Sequence, residues 1–127
     1  MYLLDTNVCI DFLLGRSDKL AAHIGDVFDR LHLSVVTVAE LRVGSRTSSD
    51  PAADQRRIDS FVAALRVLPF DLVDAATYAD IVCAAGVRRK SFDRLIAAQA
   101  LAAGMVLVTR NEMDFADISG LRLENWT

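Results

Sequence analysis

Apolar runs of strand length alternate with helix-length segments along this chain, and that alternation is what most restricts its fold. Residues 1–4, 31–36 ("LHLSVV"), 67–70 ("VLPF"), 105–109 ("MVLVT") and 121–125 ("LRLEN") read as strands, the first and fourth buried on both faces. Residues 7–14 between them read as a helix, capped by Asp5 or Thr6 and stopped by Gly15. Ser17 starts a second helix, with Leu20, Ala21, Ile24, Val27, Phe28 and Leu31 at helical spacing. A third opens with Thr37, and Pro51 suits the first turn of a fourth over residues 51–65, where its missing N–H does no harm. Asp74 begins a fifth helix that Gly86 ends. Ser91 caps a sixth, "SFDRLIAAQALAA", which is apolar almost all round and so is expected to be buried, with Gly104 terminating it. "NEMDFADI" reads as a short helical turn. Pro69 cannot donate to a ladder, which puts the third strand at a sheet edge. Strands separated by helices imply parallel pairing and right-handed crossovers. The expectation is a single α/β domain over residues 1–127, three layers (α/β/α) around a small, mainly parallel sheet.

Ligands of such sheets collect at the carboxyl ends of the strands. Four acids fall just after a strand or at a helix start: Asp5, Glu40, Asp93 and Asp114. Each has a purely structural account. Asp5 can cap the helix that follows it. Thr37 and Glu40 form a T-x-x-E capping box. Asp93 lies in the first turn of the sixth helix, where the dipole favours an acid. Asn111 can cap a turn with Asp114 at its third position. The set is harder to explain that way. Glu40 sits among Val36, Val38, Ala39 and Leu41, and Asp93 sits on a helix with no polar face to turn to water. Carboxylates crowded at one partly dry edge repel strongly unless some are protonated or a cation lies among them. Oxygen donors without His or Cys select a hard ion such as Mg²⁺ or Mn²⁺, which acts typically on phosphate esters.

The rest of the composition narrows the classes. A net charge of −3 excludes a generally basic nucleic-acid coat, so contact with nucleic acid would rest on a local patch. Arg88, Arg89 and Lys90 offer one, with Arg42, Arg46 and Arg110 able to extend it; a solvated loop explains the first three equally well. Cys9 and Cys83 read as two buried free thiols of a reducing compartment, and His23 and His32 lack the spacing of a zinc site. No basic leader and no membrane-length apolar run is present, so a soluble, cytoplasmic protein is expected. A hydrophobic share of 53% suggests some apolar surface for a partner.

"LLDTNVCID", "SVVTVAELRVG", "DRLIAAQALAAG", "LVTRNEMDF" and "ISGLRLENW", in this order from Tyr2 to Trp126, resemble the PIN-domain ribonucleases, specifically the VapC-type toxins of bacterial toxin–antitoxin pairs. The resemblance implies a metal-dependent endoribonuclease that cuts RNA, forms homodimers and is silenced by a cognate antitoxin. It also implies that Asp5, Glu40 and Asp93 bind the Mg²⁺ or Mn²⁺ ion. The fourth position falls on Asp114, with Asn111 as the other candidate, and Thr6, Asn7 and Thr109 are implied as supporting hydrogen-bond groups. The loop before Asp93 departs from the family pattern: Arg89 and Lys90 stand where relatives often carry an apolar residue and glycine.

Three other readings compete with the nuclease. An aspartate-nucleophile phosphatase usually carries a second acid two positions after the first, where this chain has Asn7. A phosphorylated receiver module needs a lysine after a late strand, where Arg110 stands. An interaction domain would use the acids only as caps.

Overall fold

The computed structural model describes residues 1–86 and 92–127. Its strands are β1 (Tyr2–Leu4), β2 (Leu31–Ser34), β3 (Arg66–Leu68), β4 (Val106–Val108) and β5 (Leu123–Glu124). They form one sheet in the order β3-β2-β1-β4-β5, and every pairing is parallel. The helices are α1 (Thr6–Leu13), α2 (Asp18–Asp26), α3 (Val35–Arg46), α4 (Pro51–Ala64), α5 (Leu72–Ala85) and α6 (Asp93–Ala103). β3, followed directly by Pro69, is an edge strand as its sequence requires.

Successive strand residues face opposite sides, so β1 feeds two cores. Leu4, with Leu31, Leu33 and Val108, packs with Val8, Cys9, Leu20, Ile24, Ile58 and Phe61 of α1, α2 and α4. Leu3 and Leu107 pack with Ile81 of α5 and with Ile96, Ala97 and Ala100 of α6. Each fully buried Leu stabilises the fold by about 1.5–3 kcal/mol. The sheet is thus covered on both faces, the expected three-layer arrangement. Ile96 through Ala100 of α6 are all buried, and Gln99 Nε2 donates to the carbonyls of Leu68 and Pro69 beyond β3. α6 stops at Gly104, whose φ of 67° is left-handed, while the Met105 N–H returns to the Ala100 carbonyl. That closure turns the chain straight into β4, the neighbour of β1. No helix among the described residues is long and apolar enough to cross a membrane.

Several local expectations are corrected. Val35 and Val36 do not extend β2 but open α3, because the Ser34 hydroxyl caps the helix by accepting from the Val36 N–H. Thr37 is therefore inside the helix and the Thr37–Glu40 capping box does not form. α2 ends at Asp26; a 3₁₀ turn, Phe28–Arg30, follows, Ala21 is exposed, and Leu31 belongs to β2. α5 starts at Leu72 with Asp71 as its cap, and Asp74 completes that capping box. α6 is entered through Phe92 without a side-chain cap bond, and Ser91 lies outside the described residues. Both cysteines are free, but only Cys9 is buried; Cys83 is exposed on α5. A thiol reagent is expected to titrate one thiol per native chain and both after denaturation. Two reactive thiols in the native state would contradict that placement.

Candidate active site

β1 ends against the interior, and Asp5 follows it with 2% of its surface exposed. The acid does cap α1: Oδ1 accepts from the Thr6 N–H at 2.8 Å. Oδ2 does something else. It accepts from the Thr109 hydroxyl at 3.0 Å, across from the end of β4. Parallel pairing of Leu4 with Val108 brings the two residues side by side. Thr109 Oγ1 in turn accepts from the Asn111 N–H at 3.0 Å, which fixes the chain leaving β4.

Thr6 joins Asp5 to Glu40. Its N–H serves Asp5, and its hydroxyl donates to Glu40 Oε1 at 2.8 Å. The Thr37 hydroxyl lies 3.0 Å from that of Thr6. With Glu40 ionised the single Thr6 proton points to Glu40, so Thr37 is the donor to Thr6. A directed chain, Thr37 to Thr6 to Glu40, sets the position of this acid. The corrected start of α3 is what places Thr37 and Glu40 on the face turned to α1.

Asp93, half-buried in the first turn of α6, completes the group. Burial pushes the Asp5 carboxyl up to about 6. The Asp93 charge adds to the rise, the bonds from Thr109 and Thr6 oppose it, and Glu40 raises it further. Glu40 is likewise raised, first by burial and then by Asp93, against the bond from Thr6. Three acids from three elements thus sense one another at one sheet edge. Among the described residues no three acids stand close enough together to form a ready metal cage; what suits a hard divalent cation here is the chemistry of the donors, anionic oxygens that are partly desolvated and raise one another's pKa.

The other residues singled out in the sequence are placed differently. Asp114 is exposed on a 3₁₀ turn, Glu112–Asp114, and is not among the charges acting on Asp5 or Glu40. Asn7 and Asn111 are half-buried. Arg42 pairs with the exposed Asp59 at 3.2 Å on α4. Arg46 is exposed. Arg110 Nη1 bonds both oxygens of Asp11, at 2.8 and 2.7 Å. Arg88, Arg89 and Lys90 lie outside the described residues.

Sequence reasoning missed Thr37 as a site-ordering group, because it took that residue for a cap. Ser34, three positions earlier, was the rival cap that could have corrected it. It also missed the buried Asp11, although an acid between Ile10 and Phe12 carries the same anomaly that marked Glu40. Beside Glu40 the helices α1, α3 and α4 leave a groove of about 210 Å³, lined by Ile10, Leu13, Leu14, Leu41 and Ile58.

A family model described as PIN domain matches residues 2–121 of the chain. The tRNA(fMet)-specific endonuclease VapC of Shigella flexneri is 31% identical over 130 residues, spanning 99% of this chain and 98% of that protein. VapC ribonuclease Y4jK of Sinorhizobium fredii is 36% identical over 138 residues, spanning 98% and 96%. Among solved structures, DNA-bound VapBC from Salmonella typhimurium superposes with a TM-score of 0.91 at 29% identity, covering 99% of this chain and 98% of the other.

Proposed function

This chain belongs to the PIN-domain family, and on that premise we propose that it is a Mg²⁺- or Mn²⁺-dependent endoribonuclease, the toxin of a toxin–antitoxin pair. The observation that carries the reading is the convergence of Asp5, Glu40 and Asp93 on one sheet edge, with Asp5 pushed up to about 6. These three acids would hold the ion. When bound it would neutralise charge on the phosphodiester and activate water for in-line attack.

The chain's own residues do the positioning. Thr6 holds one oxygen of Asp5 and one of Glu40, so a single residue spaces two acids. Thr109 fixes the second oxygen of Asp5. Asp93 enters from α6, whose burial between sheet and α5 keeps its first turn in place. We assign Asn7 and Asn111 to the rim, as polar groups flanking the acids. Asp114, exposed on the outer turn, is the fourth acid of the proposal.

Partners follow from the same premise. The neighbour from Salmonella typhimurium is a VapBC assembly, which supports an antitoxin for this chain. The apolar groove that opens beside Glu40 suits a partner segment offering apolar side chains and a cation for the acids. We further assign one PIN domain to residues 1–127, cytoplasmic action and a homodimer. The phosphatase reading lacks its second acid, since Asn7 stands two positions after Asp5.

The test is direct. Purified chain incubated with RNA is expected to cleave it with Mn²⁺ or Mg²⁺ and to stop in EDTA, with activity restored by added metal. Addition of the antitoxin encoded beside it is expected to silence cleavage. Undiminished cleavage in EDTA would overturn the metal-dependent reading.

A further inference from the structure

Asp11 is buried, with 5% of its side chain exposed, yet it lies on α1 and faces two cations. Arg110 Nη1 bonds Oδ1 and Oδ2 at 2.8 and 2.7 Å. Arg16 Nη1 bonds Oδ1 at 3.0 Å, and the Arg16 N–H also returns to the Asp11 carbonyl. Arg42 with Asp59 and Arg57 with Asp54 each match one cation to one acid among the described residues. At Asp11 one buried carboxylate holds two guanidiniums, and a unit of positive charge is left over.

That excess is presented outward. The Arg16 and Arg110 side chains are 54% and 38% exposed. Each guanidinium has five N–H donors, and among the described residues both bond Asp11 through Nη1 alone. The remaining donors form two planar forks, whose shape suits the paired oxygens of a phosphate. Their place is also informative. Arg110 follows Thr109, the residue that bonds Asp5. Asp11 lies six residues along α1 from Asp5, about 9 Å of helix rise. The arginine pair is thus carried by the same two segments, α1 and the chain leaving β4, that hold Asp5 and Thr109, in a chain whose net charge is −3.

We propose that Asp11 pre-organises Arg16 and Arg110 as a clamp for a backbone phosphate of the RNA strand, beside the acids that act on the scissile one. The proposal rests on the ribonuclease reading. Asp11 sets the distance between the two guanidiniums before RNA arrives, so less side-chain entropy is lost on binding. The contact reads no base. It holds the strand in register while the acid cluster acts.

Binding of a fluorescein-labelled single-stranded RNA to the Asp5→Asn chain, followed by anisotropy from 50 to 200 mM salt, tests it. Arg16→Ala is expected to raise Kd about fivefold and to reduce the slope of log Kd on log salt by roughly 0.7, one phosphate contact. Arg16→Lys is expected to restore the slope more fully than the affinity, since a point charge replaces the fork. Arg56→Ala, the same charge loss on an exposed face of α4, is expected to change neither. Arg16 is half-exposed, so its replacement leaves the fold intact; Asp11→Asn is expected to weaken binding in the same direction. Arg16→Ala behaving like Arg56→Ala, in a chain whose parent cleaves RNA with Mn²⁺, would overturn the clamp alone. A parent that neither cleaves nor binds RNA would overturn the clamp and the ribonuclease reading together.

Discussion

Asp5→Asn is expected to lower RNA cleavage by at least about a thousandfold, and in the metal-free chain to raise the melting temperature at pH 7.5 rather than lower it. The two effects have one cause. In the unfolded chain the Asp5 carboxyl ionises near 3.8; in the folded chain it does so at about 6. Between those values the native state holds a proton that the unfolded state has released. Stability from this group is complete below about 4 and is lost as pH rises through 6. Two pH units correspond to roughly 3 kcal/mol. Asn removes that penalty but supplies one acceptor where Asp5 supplied two, to Thr6 and Thr109. The net gain expected is about 1–2 kcal/mol, roughly 5 °C. Added Mn²⁺ is expected to reverse the order, stabilising the parent and leaving the variant unmoved. Thermal melts at pH 5 and 7.5, with and without Mn²⁺, read all of this. A variant that melts well below the parent at pH 7.5 without metal would show Asp5 to be a cap and nothing more.

That contrast explains what the sequence could and could not reveal. The alternation of strands and helices is a local property, written in runs such as 105–109 and stops such as Gly104, and the sheet follows from it. The acids are different. Asp5 really is a cap and Asp93 really does occupy a first turn, so each local explanation is true and still incomplete. What makes them a site is their separation in space, which depends on strand order. The order β2-β1-β4 puts Asp5 between the elements that carry Glu40 and Thr109. Where two local signals compete, sequence reasoning can choose wrongly. Val35 and Val36 have strand propensity, but the Ser34 hydroxyl accepts from the Val36 N–H and the helix wins from Val35. The arginine patch was read from charge alone, without the acids that orient it: Arg110 pairs with Asp11, 99 residues away, and Arg42 with Asp59. Arg94 drew no attention at all, because its partner is 23 residues away.

Asp117→Ala is expected to destabilise the chain by about 2–3 kcal/mol and to lower its melting temperature by roughly 10 °C. Arg94 emerges in the first turn of α6 with only 3% of its side chain exposed. Its Nη1 and Nη2 meet the two oxygens of Asp117 at 2.9 and 2.8 Å, a bidentate pair across the end of the domain. Asp117 itself is 41% exposed. The pair is therefore asymmetric: loss of Arg94 leaves an acid that water can reach, whereas loss of Asp117 leaves a buried cation whose Nε finds no hydrogen-bond partner among the described residues. Arg94→Met, which keeps volume and removes the charge, is expected to cost less than Asp117→Ala. The double variant is expected to be more stable than Asp117→Ala alone, since the orphaned charge is then gone. The consequence extends to the site. Arg94 is the neighbour of Asp93, and its bond to Asp117 ties the start of α6 to the segment that follows β4 and Thr109. Asp117→Ala is accordingly expected to weaken Mn²⁺ binding, read by calorimetry below the melting transition, by several-fold. A double variant no better than Asp117→Ala would mean that the damage comes from something other than the buried charge.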